Sequence, residues 1–150
     1  METYFDLGGY SFPVTTQSTK AQTWFNRGIL WTYGYNHEEA VTCFERAIDA
    51  DPQCAMAHWG AGYASGPNYN MPWDLFDDAG RAAAARAGYT HARKALDLID
   101  GVTGWEAALI RALPMRYPKP DPLDPEAMKA WNASFADAMR EAFDVHPESH

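Results

Sequence analysis

Two adjacent helical segments with small and large residues at fixed spacing constrain this chain most. "TTQSTK" offers Ser18 and Thr19 as N-caps, and a helix runs from there to about Tyr33, where Gly34 can end it. Asn36 caps a second helix, "HEEAVTCFERAID", whose Glu38 and Glu39 sit near its positive N-terminal end. Asp51-Pro52 closes that helix, because the residue before proline avoids helical geometry. Gly28 and Ala40 are small where two antiparallel helices cross closely, and the rings of Trp24, Trp31 and Phe44 fill the space around the crossing. The fold class that follows is all-α.

The remaining chain extends this plan to about six helices. A third helix spans about Gln53 to Ser65 and is stopped by Gly66-Pro67, with Gly66 fitting a left-handed C-cap. The loop "GPNYNMPWD" then precedes a long helix from about Asp74 to Leu98, ended by Gly101. Within it, "YTHARKALDLID" repeats the style of the second helix, with Ala92 and Leu96 standing as Ala40 and Phe44 do. A fifth helix, "TGWEAALIRALPMRY", is bent or stopped at Pro114. "PKPDPLDP" is an extended connector, and Asp124 caps a sixth helix with Pro125 at its first position. Residues 1–17 form an irregular N-terminal segment and 18–150 one helical domain. The ending "DVHPESH" looks like the start of a further helix, so the chain is expected to be the N-terminal part of a longer protein.

Trp24, Gly28, Trp31, Ala40, Phe44, Ala47 and Pro52 fall at the spacings W, G, Y, A, F, A and P of the tetratricopeptide repeat. Arg27 departs from the usual leucine and Trp31 from the usual tyrosine, without moving the spacing. The chain resembles the N-terminal part of a family of bacterial tetratricopeptide-repeat (TPR) proteins, from about Tyr10 onward. The resemblance rests on Asn36-His37-Glu38-Glu39-Ala40, Cys54-Ala55-Met56, Trp59-Gly60 and Gly66-Pro67-Asn68. It implies antiparallel helix pairs stacked as a right-handed solenoid, and binding of a protein or peptide partner on the concave face. By the family's geometry that face carries Gln22, Phe25, Asn26, Ile29, Thr32 and Tyr33 from the first helix, and Met56, Trp59 and Tyr63 from the third. With hardly any positive charge, it suits an apolar or amphipathic segment rather than a terminal carboxylate. The alternative is that this lining is covered by residues Tyr4 to Val14 or by chain beyond His150.

A net charge of −8 argues against a nucleic-acid surface, which needs clustered cations to neutralise phosphate. With 47% hydrophobic and 14% aromatic residues, the chain has ample material for a core. No run approaches the roughly 18 apolar residues of a membrane span, and no signal peptide is visible. Cys43 and Cys54 match neither a redox pair nor a zinc ribbon, and read as reduced thiols of a cytoplasmic protein.

No catalytic motif specific enough to name a reaction is present, and no cofactor is implied. Cys54 and His58, four apart on one helix face, are a zinc-compatible pair that His37 or Cys43 would have to complete. They are also a nucleophile–base pair, with the helix dipole lowering the Cys54 pKa. The plainer reading is a buried small thiol and an inter-helix histidine. His37, Glu38 and Glu39 form either a ligand cluster or, more plainly, a charged helix start. His91 reads as a surface or interface residue. In the "GPNYNMPW" loop, Asn68, Tyr69, Asn70 and Trp73 are candidates for ligand contact, against a structural plug over the neighbouring helices.

Overall fold

The first helix, α1 (Thr19–Tyr33), opens where the Ser18 hydroxyl accepts from the Ala21 amide at 3.0 Å. Asn36 opens α2 (His37–Ala50) in the same way, accepting from the Glu39 amide at 3.2 Å. These caps satisfy donors that a helix start otherwise leaves unpaired. The computed structural model describes residues 13–34, 36–66, 76–119 and 125–145. It continues with α3 (Ala55–Ser65), α4 (Asp78–Asp97), α5 (Gly104–Ala112) and α6 (Pro125–Val145), with 3-10 turns at Ile99–Gly101 and Leu113–Met115. Six α-helices and no strand occur among the described residues.

The boundaries follow local chemistry, with two corrections. Asp51 stands in extended geometry and accepts from the Gln53 and Cys54 amides, so a turn precedes α3 and Cys54 takes its N-cap position. α4 begins at Asp78 rather than Asp74, because the Asp77 carboxylate is the one that caps, accepting from the Gly80 amide at 2.6 Å.

Phe44 of α2 fixes the stacking of the first three helices. A methyl placed on Gly28 of α1 would lie 2.6 Å from its ring, and one on Gly60 of α3 would lie 2.5 Å away. The ring therefore rests on bare backbone of both neighbouring helices, a closeness that only glycine permits. Phe44 is buried, and Phe25 packs beside it with ring centroids 5.4 Å apart. Full burial of a phenylalanine contributes about 1.5–3 kcal/mol. Trp24, Ala21, Cys43, Ala47, Cys54 and Ala57 form a second cluster at the other end of the same interface. Arg27 and Arg46 stack over the Trp24 ring at 4.5 and 4.6 Å, so the arginine in place of the usual leucine covers the tryptophan.

Tyr117 repeats the device between α3 and α4. It is fully buried, its hydroxyl donates to the Gly62 carbonyl at 2.8 Å, and a methyl on Gly66 or Gly88 would overlap its ring. Gly66 is thus small for packing; its φ of −93° and ψ of −166° are extended, not the left-handed C-cap the sequence suggests. Ala92 is buried as expected, whereas Leu96 is only half-buried, and the role of Phe44 in this layer falls to Tyr117.

Residues 13–18 are irregular, as expected for that part of the N-terminal segment, and they are tied down. The Glu106 carboxylate, buried at the start of α5, accepts from the amide and hydroxyl of Thr15 and from the amide and hydroxyl of Thr103. Four donors compensate one buried charge, and they anchor the chain ahead of α1 to α5.

The Gly60–Phe44 contact makes a test with a decided sign. An alanine in place of a helical glycine gains about 1 kcal/mol from propensity alone. Here the new methyl meets an immobile ring, and overpacking costs roughly 1–3 kcal/mol. Gly60→Ala should therefore lower the urea midpoint, and Phe44→Leu should cost less in that background than in the parent. A Gly60→Ala chain more stable than the parent would contradict the wedge.

Candidate functional site

Because α2 and α3 run antiparallel, the first turn of α2 lies beside the last turn of α3. His37, Glu38 and Val41 face Ala64, Ser65 and Gly66 there, and Phe76 closes one side of an open cleft of about 450 Å³. That volume falls within the roughly 300–1,000 Å³ typical of ligand sites. Val41, Ala64 and Phe76 give it apolar walls. Its polar groups are the half-buried His37, the exposed Glu38 and the Ser65 hydroxyl, which donates to the Ala61 carbonyl at 2.7 Å. With that proton committed, the serine oxygen presents only lone pairs to the cleft.

His37 and Glu38 are the candidate ligands of the sequence that line the cleft, together with the helix-stop Gly66. Val41, Ser65 and Phe76 were not singled out, although the antiparallel pairing of the second and third helices implies that their adjacent ends meet. Asn68, Tyr69, Asn70 and Trp73 lie outside the described residues; Gly66 and Phe76, on either side of that segment, both line the cleft.

Four of the nine residues assigned to a concave binding face are interior. Phe25, Ile29, Met56 and Trp59 are buried in the main core, and the Trp59 indole donates to the Leu109 carbonyl at 2.9 Å. These four are packing residues, correcting their assignment to an open groove. Gln22 accepts from the Val14 amide at 3.0 Å and donates to Asn26 at 2.8 Å, while the Thr32 hydroxyl returns to the Gly28 carbonyl at 2.8 Å. Tyr63 stacks on Trp59 with ring centroids 5.2 Å apart and lies under the Arg116 guanidinium. Tyr33 alone of the set is strongly exposed, at 63%.

His37, Cys54 and His58 do not converge. His37 sits by the C-terminal end of α3 and Cys54 caps the opposite end, about 15 Å away at 1.5 Å per residue. No group of three or more potential metal ligands occurs among the described residues. The expected lowering of the Cys54 pKa is reversed: burial pushes the thiol up, outweighing the opposite pull of the Ala57 amide, and Asp51 and Glu106 add to the rise. A thiol held protonated and out of water is a packing group. Cys43 is likewise buried and in no disulfide, its thiol directed to the Glu39 carboxylate at 3.9 Å.

His58 and His91 are the inter-helix pair of α3 and α4. The His58 Nε2 lies 3.0 Å from the Pro52 carbonyl, which assigns the proton to that nitrogen. Its Nδ1 is buried without a hydrogen-bond partner among the described residues. The two rings are 6.1 Å apart, and Lys94 acts on His58 from the next turn of α4. Burial lowers the His58 pKa most, the Pro52 carbonyl opposes it in part, and the Lys94 charge adds a smaller lowering. Burial and then His58 lower that of His91.

No family model, curated protein or solved structure matches the chain. The site is therefore read from its own geometry.

The histidine pair carries a pH dependence whose sign is fixed. Both imidazoles bind protons more weakly in the folded chain than at their ordinary value of 6.5. The unfolded chain thus takes up more protons as pH falls through that value, and stability declines. The urea midpoint should fall between pH 7 and pH 5. It should fall less in His58→Gln, whose amide can still donate to the Pro52 carbonyl. Equal falls in both chains would show that the pair does not couple folding to pH.

Proposed function

We propose that this chain is a TPR-like helical repeat module, cytoplasmic and stacked as a right-handed solenoid, that binds a protein or peptide partner. Paired antiparallel helices with glycine at each close crossing support the repeat reading. The observation that carries the binding reading is the open cleft between α2 and α3. It is the size of a side chain or short segment, apolar in its walls and polar at its edge, which suits an amphipathic stretch of a partner. The inward-facing rings of α1 and α3 serve as the rigid platform behind it.

A metal-binding or enzymatic reading would need His37, Cys54 and His58 together. Their separation and the buried, protonated Cys54 favour the binding module.

Selection of a displayed random-peptide library against the full chain tests this. Peptides recovered on the parent should lose at least about tenfold in affinity on Val41→Trp, which fills the cleft, a loss of ~1.4 kcal/mol or more. Val41 is only partly buried, so helicity and urea midpoint should stay near those of the parent. Peptides that bind Val41→Trp as tightly as the parent would place the site elsewhere.

A further inference from the structure

We infer that His58 and His91, paired across the interface of α3 and α4, form a two-coordinate site for a soft monovalent cation of the copper(I) and silver(I) class. The site lies apart from the cleft and needs neither His37 nor Cys54, so it stands independently of the peptide-binding reading.

The His58 ring is held as a metal-binding imidazole is held. Its Nε2–H donates to the Pro52 carbonyl at 3.0 Å, which fixes both the ring and the tautomer. Ligating histidines are oriented by such a bond from the nitrogen that does not meet the metal. What remains is the Nδ1 lone pair, on a side chain only 6% exposed and without a hydrogen-bond partner among the described residues. A buried acceptor left bare is a cost that a bound ion removes.

His91 supplies the second lone pair. A neutral imidazole carries one, whichever nitrogen holds the proton. Burial, the largest cause in each, keeps both pKa values below 6.5, so both rings are neutral at pH 7. α4 crosses α3 closely at Gly62, where an added methyl would lie 3.2 Å from the His91 Cβ. From there the His91 ring reaches back one turn of α3, bringing the two ring centres to 6.1 Å. A metal–imidazole bond is about 2 Å and each nitrogen lies roughly 1 Å from its ring centre, so an ion shared in line holds two rings about 6 Å apart. His91 is half-buried, which gives an ion a way in from solvent.

Ligand count and charge select the class of ion. No group of three potential ligands forms around this pair among the described residues. Zinc is completed by four ligands, whereas soft monovalent ions of filled d shell are satisfied by two in line. Lys94 acts on His58 from the next turn of α4, and it repels a divalent ion about twice as strongly as a monovalent one.

The experiment follows the imidazole nitrogen signals of the isotope-labelled full chain during titration with silver nitrate at pH 7 without chloride. Cys43→Ala with Cys54→Ala removes the two thiols that compete for silver. Should that variant lose helicity, the parent chain is titrated past its thiols instead. The His58 Nδ1 signal and one His91 nitrogen should move together and saturate with one ion. His91→Phe should weaken binding at His58 at least about tenfold, and His58→Gln should do the same at His91, since losing even an outer-shell partner costs that much. Zinc sulfate should move these signals only at far higher concentration. Silver that leaves both rings in place, or that binds one of them unchanged when the other is substituted, overturns the site. Zinc bound as tightly as silver overturns its two-coordinate class.

Discussion

One ring in contact with two backbones sets the geometry of the N-terminal half. Phe44 touches Gly28 and Gly60 at distances no side chain on those helices would allow. The consequence is directional. α1 and α3 are both drawn against α2, with the phenylalanine ring in contact with the glycine of each. Protein interiors are packed too densely to absorb an added methyl at such a point. Everything further along the chain depends on this layer. The Trp59 indole can reach α5, and Tyr117 can lodge between α3 and α4, only because α3 is already seated.

The cleft is a by-product of the same arrangement. Antiparallel helices of unequal length leave a step where the longer one runs past the shorter. α3 ends at Ser65 because Gly66 must admit the Tyr117 ring, and the first turn of α2 stands opposite that end. The glycine that completes the second aromatic wedge therefore also opens the site. Packing and the shape of the cleft meet at one residue there, whereas Glu38 and Val41 on the opposite wall are partly or fully solvent-facing.

How much of this was legible in the sequence follows from the range of each interaction. Ser18, Asn36 and the Asp51-Pro52 stop act within a turn of themselves, and α1 and α2 begin and end where those residues imply. The Gly28–Phe44 crossing was legible too, because a short link brings its partners together. Gly66 was misread because its partner is Tyr117, far along the chain, and a local rule for helix ends knows nothing of a distant ring. Burial of Phe25, Met56 and Trp59 was missed for a related reason: the repeat pattern says which helix face these residues share, not what later helix covers it. Cys54 shows competition between two real effects. The amides of the helix start do pull the thiol pKa down, but exclusion from water outweighs them.

The central claim is that the Phe44 ring lies between the backbones of Gly28 and Gly60. Nuclear Overhauser measurements on the labelled full chain address it directly. The account predicts strong cross-peaks from the Phe44 ring protons to the α-protons of both glycines, with those α-protons moved by the ring current. Cross-peaks to only one of the two, or glycine α-protons at unperturbed positions, would contradict it.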